Sequence, residues 1–121
     1  SAAVHDQKIA YTSQLAHVVS SCYVKDGQIE GCLGFTGGSF QDMTRIAGVD
    51  ENVWTELYLK NSDNLCGNIR QLAAHLCEVA DAIEGGEAQS LKALLRAGRE
   101  QFEERKNNSF QGKDIVTTLL K

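Results

Sequence analysis

The 121-residue chain reads as an all-α protein. It has no proline, its apolar residues recur at steps of three and four, and no stretch alternates apolar with polar residues as a half-buried strand would. Helices with apolar stripes on one side must bury them against each other, which predicts a helical bundle.

The first helix spans His5 to Lys25, a stretch without glycine. At about 100° per residue, Val4, Tyr11, Leu15, Val18 and Cys22 share one face and form the expected buried stripe. Asp6, Ser13 and His17 line the opposite face. Ser13 and His17 are an i,i+4 pair, close enough to address one small molecule together. A polar face is also what any surface helix presents. The helical pattern has begun by Val4 or His5 without a clear capping signal, as at a boundary cut into a long helix, so the chain is expected to be one piece of a longer protein.

Five glycines in the thirteen residues from Asp26 to Gly38 predict a loop, since each glycine costs a helix about 1 kcal/mol. Ser39-Phe40-Gln41-Asp42 has the form of a capping box, so a short second helix is expected from Ser39 to Gly48. Asp50 caps a third helix through Val53, Trp54, Leu57 and Tyr58, which weakens at Asn61-Ser62. In the fourth, Leu65, Ile69, Leu72, Leu76, Val79 and Ile83 follow the four-three spacing of a packed seam, within a bundle or across a dimer, and Gly85-Gly86 ends it. A fifth helix runs from about Glu87 to Lys106, with Leu91, Leu94, Leu95 and Phe102 inward. Asn107-Asn108-Ser109 is expected to break it, leaving Asp114 to Leu120 for a last short helix.

Sixteen acidic against twelve basic residues give a net charge of −4, contrary to the basic footprint of a nucleic-acid surface. Cys22, Cys32, Cys66 and Cys77 form no CxxC pair and match no Cys/His zinc spacing, so no metal site is expected. Reduced, mostly buried thiols of a cytosolic protein are the expected reading. No apolar run approaches the roughly 20 residues of a membrane span, and no signal segment leads the chain. A cytoplasmic protein without nucleic-acid or membrane partners follows as the expectation.

Two motifs carry chemistry. A glycine turn, Gly37-Gly38, feeding a helix start leaves amides free to hold an anion. Arg45, further along the same helix, suits two-point contact with a carboxylate. Glycine turns also merely connect helices, and Arg45 with Asp42 one turn earlier is also a common surface pair.

Taken together, HDxxxxxxSQLAH from His5 to His17, GGSFQDMTRIA from Gly37 to Ala47 and then Trp54 resemble the C-terminal helical domain of the prephenate dehydrogenase family of the tyrosine pathway. The resemblance extends to about Arg105. It implies a domain of the 6-phosphogluconate dehydrogenase C-terminal-like kind, forming an intertwined homodimer and occupying residues 1–121 as a single helical unit. The N-terminal Rossmann domain would lie outside this chain. The full enzyme oxidises prephenate with NAD or NADP and releases carbon dioxide, giving 4-hydroxyphenylpyruvate. Carried over by motif, Ser13, His17, Gly38, Arg45 and Trp54 would face the substrate, with Trp54 coming from the partner subunit, and His5 and Asp42 would support them.

No catalytic residue, metal or bound cofactor is expected in this fragment, because it has no GxGxxG turn and the family's hydride-transfer histidine belongs to the other domain. The fragment alone is therefore expected to be inactive. Where many relatives read Ser-His-Leu-Pro-His, this chain has Ser13-Gln14-Leu15-Ala16-His17, which leaves position 14 without an assigned role. Ser39 replaces a third glycine, a change a serine cap should tolerate. Alternatives are an arogenate dehydrogenase domain and a non-catalytic dimerisation or regulatory module. A helical chorismate mutase is weaker, since it needs several converging arginines and only Arg45 and Arg70 could serve.

Overall fold

The computed structural model describes the backbone of residues 1–32 and 34–120 and the side chains as far as residue 106. The described backbone is helical throughout its regular parts: α1 (Ala2–Ile9), a π-helical turn (Ala10–Gln14), α2 (Leu15–Val24), a 3-10 turn (Gln28–Cys32), α3 (Gly38–Thr44), α4 (Glu51–Lys60), α5 (Ser62–Glu84) and α6 (Ala88–Leu120). The all-α expectation holds. The contacts divide the chain into two compact units, Ser1–Ala73 and Ala74–Lys121.

In the first unit, α1, the π turn and α2 run end to end. Ser1 starts the rod by accepting a hydrogen bond from the Val4 amide at 3.3 Å, a cap that the sequence pattern had not revealed. At the π turn the Leu15 amide bonds back to the Ala10 carbonyl, five residues away instead of four. The extra residue in that turn breaks the uniform 100° rotation on which the expected stripe rested. Leu15 is buried and Val18 half-buried as expected, but Val4 and Cys22 are exposed and Tyr11 is 67% exposed. The turn instead buries Ala10 (0% exposed) and Gln14 (6%). Ala10, Leu15 and Leu65 form the core, with Val18, Val19, Tyr58, Ile69 and Leu72 packed around it.

The second helix departs from its expected limits. Gly37, with extended backbone, stands at the cap position of α3 without any side-chain cap, so Ser39 lies inside the helix. α3 ends at Thr44, whose hydroxyl donates to the Phe40 carbonyl at 2.7 Å. It does not reach Gly48. Asp50 caps α4 as expected, accepting from the amides of Asn52 and Val53. The thiols also correct the expectation of burial: Cys22, Cys66 and Cys77 are exposed and Cys32 is half-buried, all four free.

The predicted seam on α5 is only partly covered. Leu65 is buried and Ile69, Leu72 and Val79 are half-buried, whereas Leu76 and Ile83 are exposed. α5 ends in a Schellman turn: the Glu87 amide bonds to the Ala82 carbonyl and the Gly86 amide to the Ile83 carbonyl, with Gly86 at φ +65°. Only glycine enters that left-handed region cheaply. α6 continues unbroken through Asn107-Asn108-Ser109 and Gly112. Residues of this kind each lower helix propensity by about 1 kcal/mol or less, whereas proline, which would stop the helix, is absent.

Tyr58 links this fold to pH. Burial against the core, and secondarily the neighbouring Cys22 thiol, push its phenol above the ordinary tyrosine value. As pH rises past about 10 the unfolded chain loses this proton first while the folded chain retains it. The folded state then binds more protons, so stability is intact below the unfolded value and is lost as pH climbs through the folded one. Urea midpoints should fall as pH rises from about 10, the unfolded value, through the raised folded one. Tyr58→Phe should make that fall smaller; an identical fall in the variant would show that Tyr58 does not contribute.

Candidate functional site

His17 lies on α2 one turn beyond Ser13, and its Nδ1 is 2.8 Å from the Ser13 backbone carbonyl. A carbonyl can only accept, so Nδ1 carries the hydrogen and Nε2 is left as the free ring nitrogen. Neutral, Nε2 accepts from a hydroxyl; protonated, it donates to a carboxylate. The ring is stacked on Trp54, with centroids 4.3 Å apart and planes inclined at 27°. Trp54 in turn meets Tyr58 edge-on at 5.7 Å.

This stack lies within one chain, so His17 already has an indole against its face without a partner subunit. The Asp50 cap begins α4 four residues before Trp54, and the i,i+4 pair Trp54 and Tyr58 turns one face of α4 onto the core beside α2 of the same chain. Two fixed contacts thus set the plane and rotation of the imidazole: a hydrogen bond at one edge and an indole against its face. Ser13 is half-buried, and its hydroxyl has no hydrogen-bond partner among the described residues.

The glycine-arginine motif lies on α3, which packs against α2 through Phe40, edge-on to Tyr23 at 5.8 Å. Gly38 is the first residue of α3, and a Cβ there would meet nothing within 4 Å. Its backbone therefore lies open to solvent or to a ligand. Arg45 is the C-cap of α3, with its amide bonded to the Gln41 carbonyl and its side chain exposed. Among the described residues it forms no ion pair with Asp42, so the expected one-turn support is missing. Such a pair on a solvated surface is worth only a few tenths of a kcal/mol, too little to hold two long side chains together. Nor does any hydrogen bond join Gly38 or Arg45 to His17 or Trp54 among the described residues.

His5 and Asp6 face each other at 3.8 Å, both exposed, outside the His17 cluster. The Asp6 backbone serves differently. Its carbonyl accepts a 2.9 Å hydrogen bond from the Asn61 side-chain amide, which also donates to Gln14 Oε1 at 2.9 Å. Asn64 completes the group by donating to Asn61 Oδ1 at 2.9 Å. Sequence reasoning missed this network. Asn61 and Gln14 are 47 positions apart, and Asn61 looked like a helix breaker only. The one available signal was a glutamine next to Leu15 in an otherwise apolar stripe.

A family model described as the dimerization domain of prephenate dehydrogenase matches residues 1–97. The chain is 28% identical over 102 residues to a prephenate dehydrogenase of Lactococcus lactis subsp. cremoris (strain MG1363), an alignment covering 78% of this chain and 28% of that protein. It is 31% identical over 91 residues to a cyclohexadienyl dehydrogenase of Zymomonas mobilis subsp. mobilis (strain ATCC 31821 / ZM4 / CP4), covering 69% of this chain and 30% of the relative. The chain thus spans less than a third of the length of these curated relatives. Its fold is similar to that in the crystal structure of Synechocystis arogenate dehydrogenase, with a TM-score of 0.72 at 24% identity, covering 85% of this chain and 40% of that one. With the family model matched over residues 1–97, from the first residue into α6, the chain belongs to the prephenate dehydrogenase dimerization-domain family.

Proposed function

We propose that this chain is the substrate-side and dimerisation domain of a cytoplasmic enzyme that oxidises prephenate with NAD or NADP, releasing carbon dioxide and 4-hydroxyphenylpyruvate. The observation that carries the proposal is the imidazole of His17, held at Nδ1 by the Ser13 carbonyl and stacked on Trp54, so that Nε2 alone remains to meet a ligand. Ser13 Oγ supplies a hydroxyl from the same helix, and Arg45 supplies charge for one of prephenate's two carboxylates. These residues bind and orient the substrate.

The nicotinamide supplies the hydride chemistry when bound, and this chain's residues do not fit that cofactor. A dinucleotide turn joins a strand to a helix. Among the described residues there is no strand, and the Gly37-Gly38 turn follows an irregular loop. The cofactor is assigned to a domain outside this chain, and the chain by itself is expected to be inactive.

A homodimer is part of the same proposal. It is supported by Leu76, Ile83, Leu95 and Phe102, which one chain leaves exposed on the second unit. No helix among the described residues is long and apolar enough to cross a membrane.

Arogenate is the second reading, favoured by the fold shared with an arogenate dehydrogenase. Arogenate carries an ammonium and a carboxylate where prephenate carries a keto acid, so the two can be titrated in parallel. Prephenate added to the isotopically labelled chain should shift the backbone NMR signals of Ser13, His17, Gly38 and Arg45. Shifts confined to residues 65–83, or none around His17 and Arg45, would leave only a dimerisation module. Larger shifts with arogenate would assign that substrate.

A further inference from the structure

We propose that Gln14, which is buried, and Asn61 form an amide clamp that positions His17, setting which nitrogen of its ring is presented to a ligand. The functional meaning of the clamp rests on the reading of His17 as a substrate-facing residue; its existence does not.

The argument starts at the π turn. A turn with five-residue hydrogen bonding is rare and is kept only where its surroundings specify it. Asn61 supplies that specification. Both hydrogens of its amide nitrogen are used, one on the Asp6 carbonyl before the turn and the other on Gln14 Oε1 at its end. Its oxygen is used as well, accepting from Asn64. A single side chain from the α4–α5 junction therefore brackets the wide turn at both ends and has no freedom left to rotate.

Gln14 transmits this constraint. Its side chain is 94% buried by its 6% exposure, and its amide oxygen meets Asn61 there. A buried amide must keep such a partner. The Ser13 carbonyl belongs to the same planar peptide unit as the Gln14 nitrogen, so anchoring Gln14 from the core side fixes the plane from which that oxygen projects. The same oxygen receives His17 Nδ1–H at 2.8 Å, one turn further along the helix. Asn61, Gln14, the Ser13 carbonyl and His17 thus form one chain of contacts from the core to the ring, and the Trp54 stack holds the far face. Gln14 acts here from the buried side as a positioning residue.

The test needs no substrate. Nitrogen-15 NMR of the histidine ring should find neutral His17 as the Nδ1–H tautomer, although a free imidazole side chain prefers Nε2–H. The Nε2–H form in the wild-type chain would overturn the proposal before any variant is made. Gln14→Leu and Asn61→Ala should return neutral His17 to the Nε2–H form. They should also reduce, at least twofold, the pH-dependent quenching of Trp54 emission by the imidazolium; Trp54 is the only tryptophan of the chain. Gln14→Glu keeps an acceptor oxygen for Asn61 and should retain both signatures. If Gln14→Leu and Asn61→Ala lower the Tm while tautomer and quenching stay as in wild type, the network is only structural and the proposal fails. Failure of prephenate to bind, with the tautomer results as expected, would instead count against the proposed function alone.

Discussion

Replacing Arg45 by alanine is expected to raise the KM for prephenate roughly ten- to a hundredfold with kcat little changed, in the proposed longer enzyme that would join this domain to a cofactor domain. The estimate comes from losing a charged hydrogen bond worth about 1.5–3 kcal/mol, at about 1.4 kcal/mol per tenfold. The effect falls on KM for a grip on the side-chain carboxylate, which keeps its charge throughout and is held equally before and during the reaction, whereas the ring carboxylate leaves as carbon dioxide. Stability should hardly move: Arg45 is exposed, and among the described residues its guanidinium has no ion pair to lose. Arg45→Lys should recover only part of the affinity, since an ammonium cannot match a carboxylate at two points. An unchanged KM in Arg45→Ala would remove this residue from the site and leave Ser13, His17 and Trp54 as its substance.

Leu65→Ala should produce the largest loss of stability, about 2–4 kcal/mol at fixed protein concentration, read as a lower urea midpoint. Leu65 is 3% exposed and packs with Ala10, the first residue of the π turn, and Leu15, the residue that follows it. Truncation removes the methyl groups and leaves a void. Close backbone packing at Ala10, whose own side chain is already minimal, limits how far the neighbours can collapse into it. Because the same residues frame Gln14, the variant should also loosen the His17–Trp54 stack and alter Trp54 emission below the unfolding transition. A loss under about 1 kcal/mol would mean that the core is not organised around this leucine.

Much of the fold was legible because helix signals are local. The Asp50 cap and the end of α5 at Gly85-Gly86 depend on residues within a turn or two of each other, and each appears where the pattern placed it, whereas the four-three seam from Leu65 is covered only at Leu65, Ile69, Leu72 and Val79. The limits of α3 were less legible. Ser39-Phe40-Gln41-Asp42 has a capping-box form, yet Gly37 takes the cap position by backbone conformation alone. The buried face of the first helix was misjudged for a different reason. Uniform rotation was assumed through Ala10–Gln14, and the five-residue hydrogen bonding of the π turn there turns Tyr11 out and Gln14 in. The candidate site shows the same division. Ser13 and His17 were legible as an i,i+4 pair and as part of a family motif, whereas the stacking of Trp54 on His17 within the same chain and the work of Asn61 were not.

The amino-acid sequence by itself determined that the chain is helical and where most helices begin and end, since these follow from periodicity, caps and glycine turns that neighbouring residues settle among themselves; it also carried the motif by which the chain resembles its family. Only the tertiary structure decided which way the first helix faces, which residue holds the imidazole and from which side. Those outcomes depend on hydrogen bonds and ring contacts between residues dozens of positions apart, and only the packed core brings them within reach.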